Sequence, residues 1–193
     1  MKKILFNDRY YLTQAVIEGR KTMTRRIVPT KTRLRRALAV IHDEPHGSEQ
    51  EEYLKSACYK VGEVVAVAQR YQDIFDYSNC VNPYDWEDDD KPSGWTNKMF
   101  TKAKLMPHRI RITGIKCERL QDISNEECLR EGIRQFTPNF PKNLPIHPTH
   151  FVVGDILKDT PREAFAALID KVSGRGTWAS NPWVVAYEFE LVK

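Results

Sequence analysis

No run in this 193-residue chain approaches the ~18 to 20 consecutive apolar residues that a bilayer crossing needs, and the mean hydropathy is −0.55. The opening residues, Met1 to Asp8, hold too short an apolar segment for a secretory signal, so the product is expected in the cytoplasm. Cysteine is sparse. Cys58, Cys80, Cys117 and Cys128 lie far apart with no C-x-x-C pair, which argues against a zinc ribbon or a redox dithiol and predicts free, partly buried thiols. There is no fixed-period repeat, which argues against a solenoid or propeller. General disorder is excluded by composition. With 41% hydrophobic and 29% charged residues, the chain has material for one ordinary core, read as one unit over residues 1–193 with decorated loops.

The net charge is only +4, but it is unevenly placed. Between Met1 and Val40, eleven bases stand against Asp8 and Glu18. From Thr101 to Leu120 six more bases face Glu118 alone, whereas Asp73 to Asp90 carries seven acids and no base. Basic stretches of this kind suit an anionic partner, because phosphates release counterions on binding. A solvated surface neutralised within the molecule is the plainer alternative.

Leu12, Ala15 and Val16 recur at helical spacing between Arg9 and Glu18, and Gly19 is a natural stop. Lys21 to Val28 should be extended or turn-like. Residues 29–58 read as an insertion with one helical patch at Leu34, Ala37 and Leu38, and further insertions fall near 72–105 and 134–150. Val64 to Gln69 predicts a buried strand, and His108 to Glu118 a half-exposed one with Ile110 and Ile112 inward. Ser124 and Glu127 have capping-box spacing for a short helix ending before Gly132. Thr160 and Pro161 open a helix with Phe165, Leu168, Ile169 and Val172 on one stripe. Trp183 to Leu191 alternates as a strand. The sum is an α+β protein with a small curved sheet or barrel.

Chemistry is densest at Gly19-Arg20-Lys21-Thr22-Met23-Thr24-Arg25-Arg26, where two hydroxyls and four cations occupy eight residues. Together with Leu120-Gln121-Asp122-Ile123-Ser124, Glu131-Gly132-Ile133 and Asn181-Pro182-Trp183-Val184-Val185, this element resembles the ASCH-domain family of the PUA-like superfamily, in particular its longer bacteriophage and prophage members. The resemblance touches residues 4–28, 59–71, 106–133 and 160–192. It implies a PUA-like small β-barrel with flanking short helices, a cleft for RNA or a modified nucleoside or nucleotide, and no metal or organic cofactor. Some small members remove acetyl from N-acetylcytidine with a Lys, a Thr and a Glu, and the matching positions here are Lys21, Thr24 and Glu131.

A threonine hydroxyl needs a neighbouring base to become a nucleophile, and Lys21 is suited to that if burial or Arg20, Arg25 and Arg26 depress its pKa. Glu131 would then donate to the leaving amine. In a fully extended strand Lys21 and Thr24 point to opposite faces, so a turn at Arg20 to Thr22 is required. Three readings follow. The first is an electropositive cleft binding RNA or a nucleotide through Arg20, Lys21, Thr22, Arg25, Arg26, Arg109, Arg111 and Trp178. The second is an amidohydrolase, and the third a phage protein whose loops bind another protein. His147 and His150 lie in a Pro-rich stretch without the helix that would aim them at a metal. Tyr187 is expected to pack rather than to stack on a base, and the aromatic residues Tyr71, Tyr77, Tyr84, Trp86 and Trp95 to anchor or close a long loop.

Overall fold

A computed structural model describes residues 1–41, 48–75, 91–137 and 149–192. In chain order the first half contains β1 (Lys3–Ile4), α1 (Leu12–Ile17), β2 (Met23–Ile27), α2 (Thr30–Ile41), α3 (Glu49–Lys55), β3 (Val64–Val67) and α4 (Tyr71–Ile74). The second half adds β4 (Arg109–Arg119), α5 (Asn125–Arg130), β5 (Arg134–Phe136), β6 (His150–Val153), β7 (Ile156–Lys158), α6 (Pro161–Ser173), α7 (Thr177–Ser180) and β8 (Trp183–Val192). The strands form a five-stranded sheet in the order β1-β3-β4-β8-β2 and a three-stranded sheet β5-β6-β7. Among the described strands only β1 and β3 pair in parallel. The α+β class holds, and the described strands form two open sheets rather than a closed barrel.

The long pair β4 and β8 is the frame. Ile110 and Ile112 are fully buried while Arg109, Arg111 and Thr113 face outward, as the alternation requires. A bulge lies between Ile112 and Gly114, where the register against β8 shifts. β8 is sandwiched between β4 and β2, so Val184 to Tyr187 are buried on both faces. Helix α6 starts where the sequence directs: the Thr160 hydroxyl accepts from the Glu163 amide at 3.2 Å and Pro161 occupies the first turn. Its stripe of Ala164, Phe165 and Leu168 joins the core, where each large apolar side chain contributes roughly 1.5–3 kcal/mol. No helix among the described residues is long and apolar enough to cross a membrane.

Four expectations need revision. The first helix is divided: a 3₁₀ turn over Asp8–Tyr10 closes through Tyr11 at φ +56° before α1 begins. Within the stretch read as an insertion, the helical patch at Leu34, Ala37 and Leu38 extends to the twelve-residue α2, and an unexpected helix, α3, begins at a complete capping box between Ser48 and Glu51. The segment 94–107 holds two 3₁₀ turns, and α4 lies in the stretch expected to be loop. Finally, β5 and β6 flank the Pro-rich stretch and pair across it, although Pro138, Pro141, Pro145, Pro148 and His147 lie outside the described residues. So do Cys80, Tyr77, Tyr84 and Trp86.

Candidate functional site

Helix α1 ends through Gly19 at φ +73°, a conformation glycine adopts without steric penalty. The amides of Arg20 and Lys21 then both return to the Ala15 carbonyl at 2.9 Å. This is the turn that the sequence demanded. It leaves Lys21 ahead of β2, outside the strand's alternation, so Lys21 and Thr24 border the same cavity. The second wall comes from α5. Ser124 and Glu127 make the expected capping box, the helix closes at Glu131, and the Thr22 amide fastens the two segments by donating to the Arg130 carbonyl at 2.9 Å. Gly132 follows at φ +105°, where a Cβ would meet Leu12 Cδ2 at 3.2 Å and Lys21 Cδ at 3.5 Å. Leu12 is thus the tight neighbour at this turn, and Lys21 passes beside it at ordinary contact distance.

The cavity measures about 320 Å³, within the range of small-molecule sites. Lys21, Thr24, Arg25, Arg26 and Glu131 supply its polar lining, while Phe6 and the α6 residues Phe165, Leu168 and Ile169 supply the apolar part. Lys21 is 2% exposed and Glu131 4%. Lys21 Nζ donates to Glu131 Oε2 at 2.6 Å, to the Glu131 carbonyl at 2.7 Å and to the Met23 carbonyl at 2.8 Å. All three ammonium protons are therefore engaged. The Thr24 hydroxyl, by contrast, has no hydrogen-bond partner among the described residues, although Thr24 is buried and borders the cavity.

Arg25 occupies the centre of a wider network. Its guanidinium reaches Glu131 Oε1 at 3.1 Å, Glu127 Oε2 at 2.7 Å and Glu118 Oε1 at 2.7 Å, and Lys116 bridges Glu118 and Glu127 from the outside. Three cations thus meet three carboxylates. Burial pushes the Lys21 pKa below that of an ordinary lysine; Glu131 opposes the shift, while Arg26 and Arg25 reinforce it. For Arg25 burial works against the charge, but Glu131, Glu118 and Glu127 outweigh it and hold the pKa above its usual value. Burial likewise pushes Glu127 upward, yet Lys116, the Ser124 backbone amide and Arg25 hold it below the ordinary carboxylate value.

The predicted binding set does not form one surface. Arg20 pairs with Glu18, and the Thr22 hydroxyl accepts from Arg130 at 3.2 Å; neither lines the cavity. Arg109 and Arg111 lie on exposed positions of β4, with Arg111 3.4 Å from Glu190, and also stand apart from it. Trp178 packs edge-on against Phe165 with the Arg162 guanidinium 5.1 Å over its ring, a structural role. Tyr187 is buried, and its hydroxyl accepts from the Cys58 amide at 2.9 Å. The cavity wall is charge-balanced rather than broadly electropositive, with Arg26 the exception. Its guanidinium donates to the Leu5 carbonyl and has no carboxylate partner among the described residues.

Sequence reasoning missed Glu118, Glu127 and Lys116 as members of the site. The spacing of Glu127 and Glu131, four apart along one helical face, was the available signal. Cys58, Cys117 and Cys128 are free, and burial pushes the thiols of Cys117 and Cys128 up to about 11 and about 12, which leaves both unreactive. His150 bonds Asp159 at 3.0 Å. Among the described residues no group of three or more His, Cys, Asp or Glu is placed to hold a metal ion. Compared with protein-family models, with curated proteins and with solved structures, the chain matches none.

Proposed function

We propose that this chain is an ASCH-domain protein of PUA-like fold whose cavity hydrolyses the amide bond of an N-acylated pyrimidine nucleoside such as N-acetylcytidine. One observation carries the reading: a buried Lys21 lies 2.6 Å from Glu131 in a cavity that also receives the unpartnered Thr24 hydroxyl. Buried titratable pairs facing a cavity are the arrangement in which acid and base roles are separated.

Shifting one proton along the Lys21–Glu131 hydrogen bond gives a neutral amine and a carboxylic acid at once. Thr24 Oγ1 then attacks the acyl carbon and its proton passes to Lys21 Nζ. As the C–N bond breaks, the Glu131 carboxyl proton goes to the departing amine, leaving an acyl ester on Thr24. Water attacks that ester, Glu131 takes the water's proton, and Lys21 returns its proton to Thr24 Oγ1 as the carboxylic acid departs. The cycle closes with no co-reactant beyond water. Phe6 and the α6 side chains form the apolar wall that limits bulk water.

Acetate release from N-acetylcytidine by the purified protein is the test. Lys21→Ala and Thr24→Val are each expected to lower kcat/KM by ~10²-fold or more while thermal unfolding shows a folded protein. Full activity in Thr24→Val would overturn the nucleophile assignment. A second reading, nucleotide binding without chemistry, is favoured by Arg26, an exposed cation at the cavity with no carboxylate partner among the described residues. It predicts tighter calorimetric binding of cytidine monophosphate than of cytidine, lost in Arg26→Ala, with no acetate released.

A further inference from the structure

Helices α2 and α3 enclose a second concavity of about 430 Å³. Lys31, Arg35, Arg36 and Lys55 line it, with Glu52 the one acid, and Arg36 holds Glu52 at 3.2 Å. Lys31, Arg35 and Lys55 are exposed and have no carboxylate partner among the described residues. Helix α2 contains four bases and no acid over its twelve residues.

We propose that this groove binds the phosphates of a single nucleic-acid strand. Lys31, Arg35 and Arg36 put three of the four α2 bases on the lining face, with Lys31 and Arg35 at four-residue spacing, so the charge is gathered rather than scattered. The exposed apolar residues of α2, Leu34, Val40 and Ile41, lie about 300°, 180° and 280° around the helix from Lys31, and none of them lines the groove, whose α2 wall is Lys31, Thr32, Arg35, Arg36 and Ala39. A concave polar trough fits a chain of phosphates better than it fits a flat lipid surface. The cavity is close by. Ile27 lines the cavity and Lys31 the groove, and four residues span at most ~14 Å. We extend the proposal to a strand with one base in the cavity and its neighbouring phosphates at the groove, a relation that rests on the cavity reading above, whereas phosphate binding by the groove does not.

The test measures anisotropy of a labelled single-stranded RNA 12-mer against salt, using wild type and the variant Lys31→Gln/Arg35→Gln/Lys55→Gln. Loss of three contacts should lower the slope of log affinity against log salt by about 2 and weaken low-salt binding at least tenfold. Unchanged affinity and slope overturn the proposal, as does wild-type binding to phosphatidylserine vesicles but not to RNA. The same variant should hydrolyse free N-acetylcytidine at the wild-type rate. It should lose any preference for an acetylcytidine placed within the 12-mer; equal wild-type rates on both substrates overturn the link between groove and cavity. If neither substrate is hydrolysed while the variant still loses RNA, the cavity chemistry falls and the groove stands.

Discussion

Lys21 uses every proton of its ammonium on Glu131 and Met23, so the proposed hydrolysis requires it first to give a proton to Glu131. In that proposal the hydrogen-bonded pair shares one exchangeable proton between its two members. Arg25 contributes by dividing the carboxylate: one Glu131 oxygen faces Lys21 and the other faces Arg25. Hydrolysis should therefore follow a bell-shaped pH profile. Adding a proton to the pair removes the base on the acid side, and losing the shared proton removes the acid on the alkaline side. Because burial depresses Lys21, the alkaline limb should lie below the ordinary lysine value of 10.5. A kcat/KM profile that keeps rising past that value would contradict the shared-proton mechanism.

Among the elements, the two turns that end α1 and α5 set the geometry, and both depend on glycine. Gly19 has open space around its missing Cβ, whereas Gly132 borders Leu12 and Lys21. Gly19→Ala should therefore cost only the left-handed backbone, ~1 kcal/mol, and Gly132→Ala about 1–3 kcal/mol with reduced hydrolysis, since Leu12, which also borders the cavity, must give way. Urea unfolding and acetate release measure both. These turns were legible in the sequence because each follows a short amphipathic run, and α6, β4 and β8 were legible through caps and alternation. Helix α2 was legible only as a patch at Leu34, Ala37 and Leu38, because four bases interrupt its apolar positions, and α3 was not legible, since four of its seven residues are charged and leave no apolar stripe to count. Strands β5 to β7 are three to four residues long, too short for a period to register. At the site, Lys21, Thr24 and Glu131 could be nominated from the motif. The Arg25 network could not, because its carboxylates come from β4 and α5 and meet only once the chain has folded.

Taken whole, the molecule ties β2, β4 and α5 together through ions that are largely withdrawn from water. Breaking one member of such a set leaves a charge unanswered. Glu127 gives the network a pH dependence with a definite sign. Its folded pKa is held below the ordinary 4.5, so its stabilisation is full above that value. As pH falls through the depressed pKa, the unfolded chain binds a proton that the folded chain resists, and stability drops. Urea midpoints measured from pH 6 down to pH 3 should fall steeply in wild type and less steeply in Glu127→Gln, which starts lower; parallel curves would remove Glu127 from the acid response. The 110 positions that separate Lys21 from Glu131 have a consequence during synthesis. At ribosomal speeds of ~5–20 residues per second, the lysine waits about 5 to 20 s for its carboxylate to be made. A nascent or stalled chain carries Lys21 and Arg25 as solvated cations beside Arg20 and Arg26, and only the first two are folded away among carboxylates in the finished molecule.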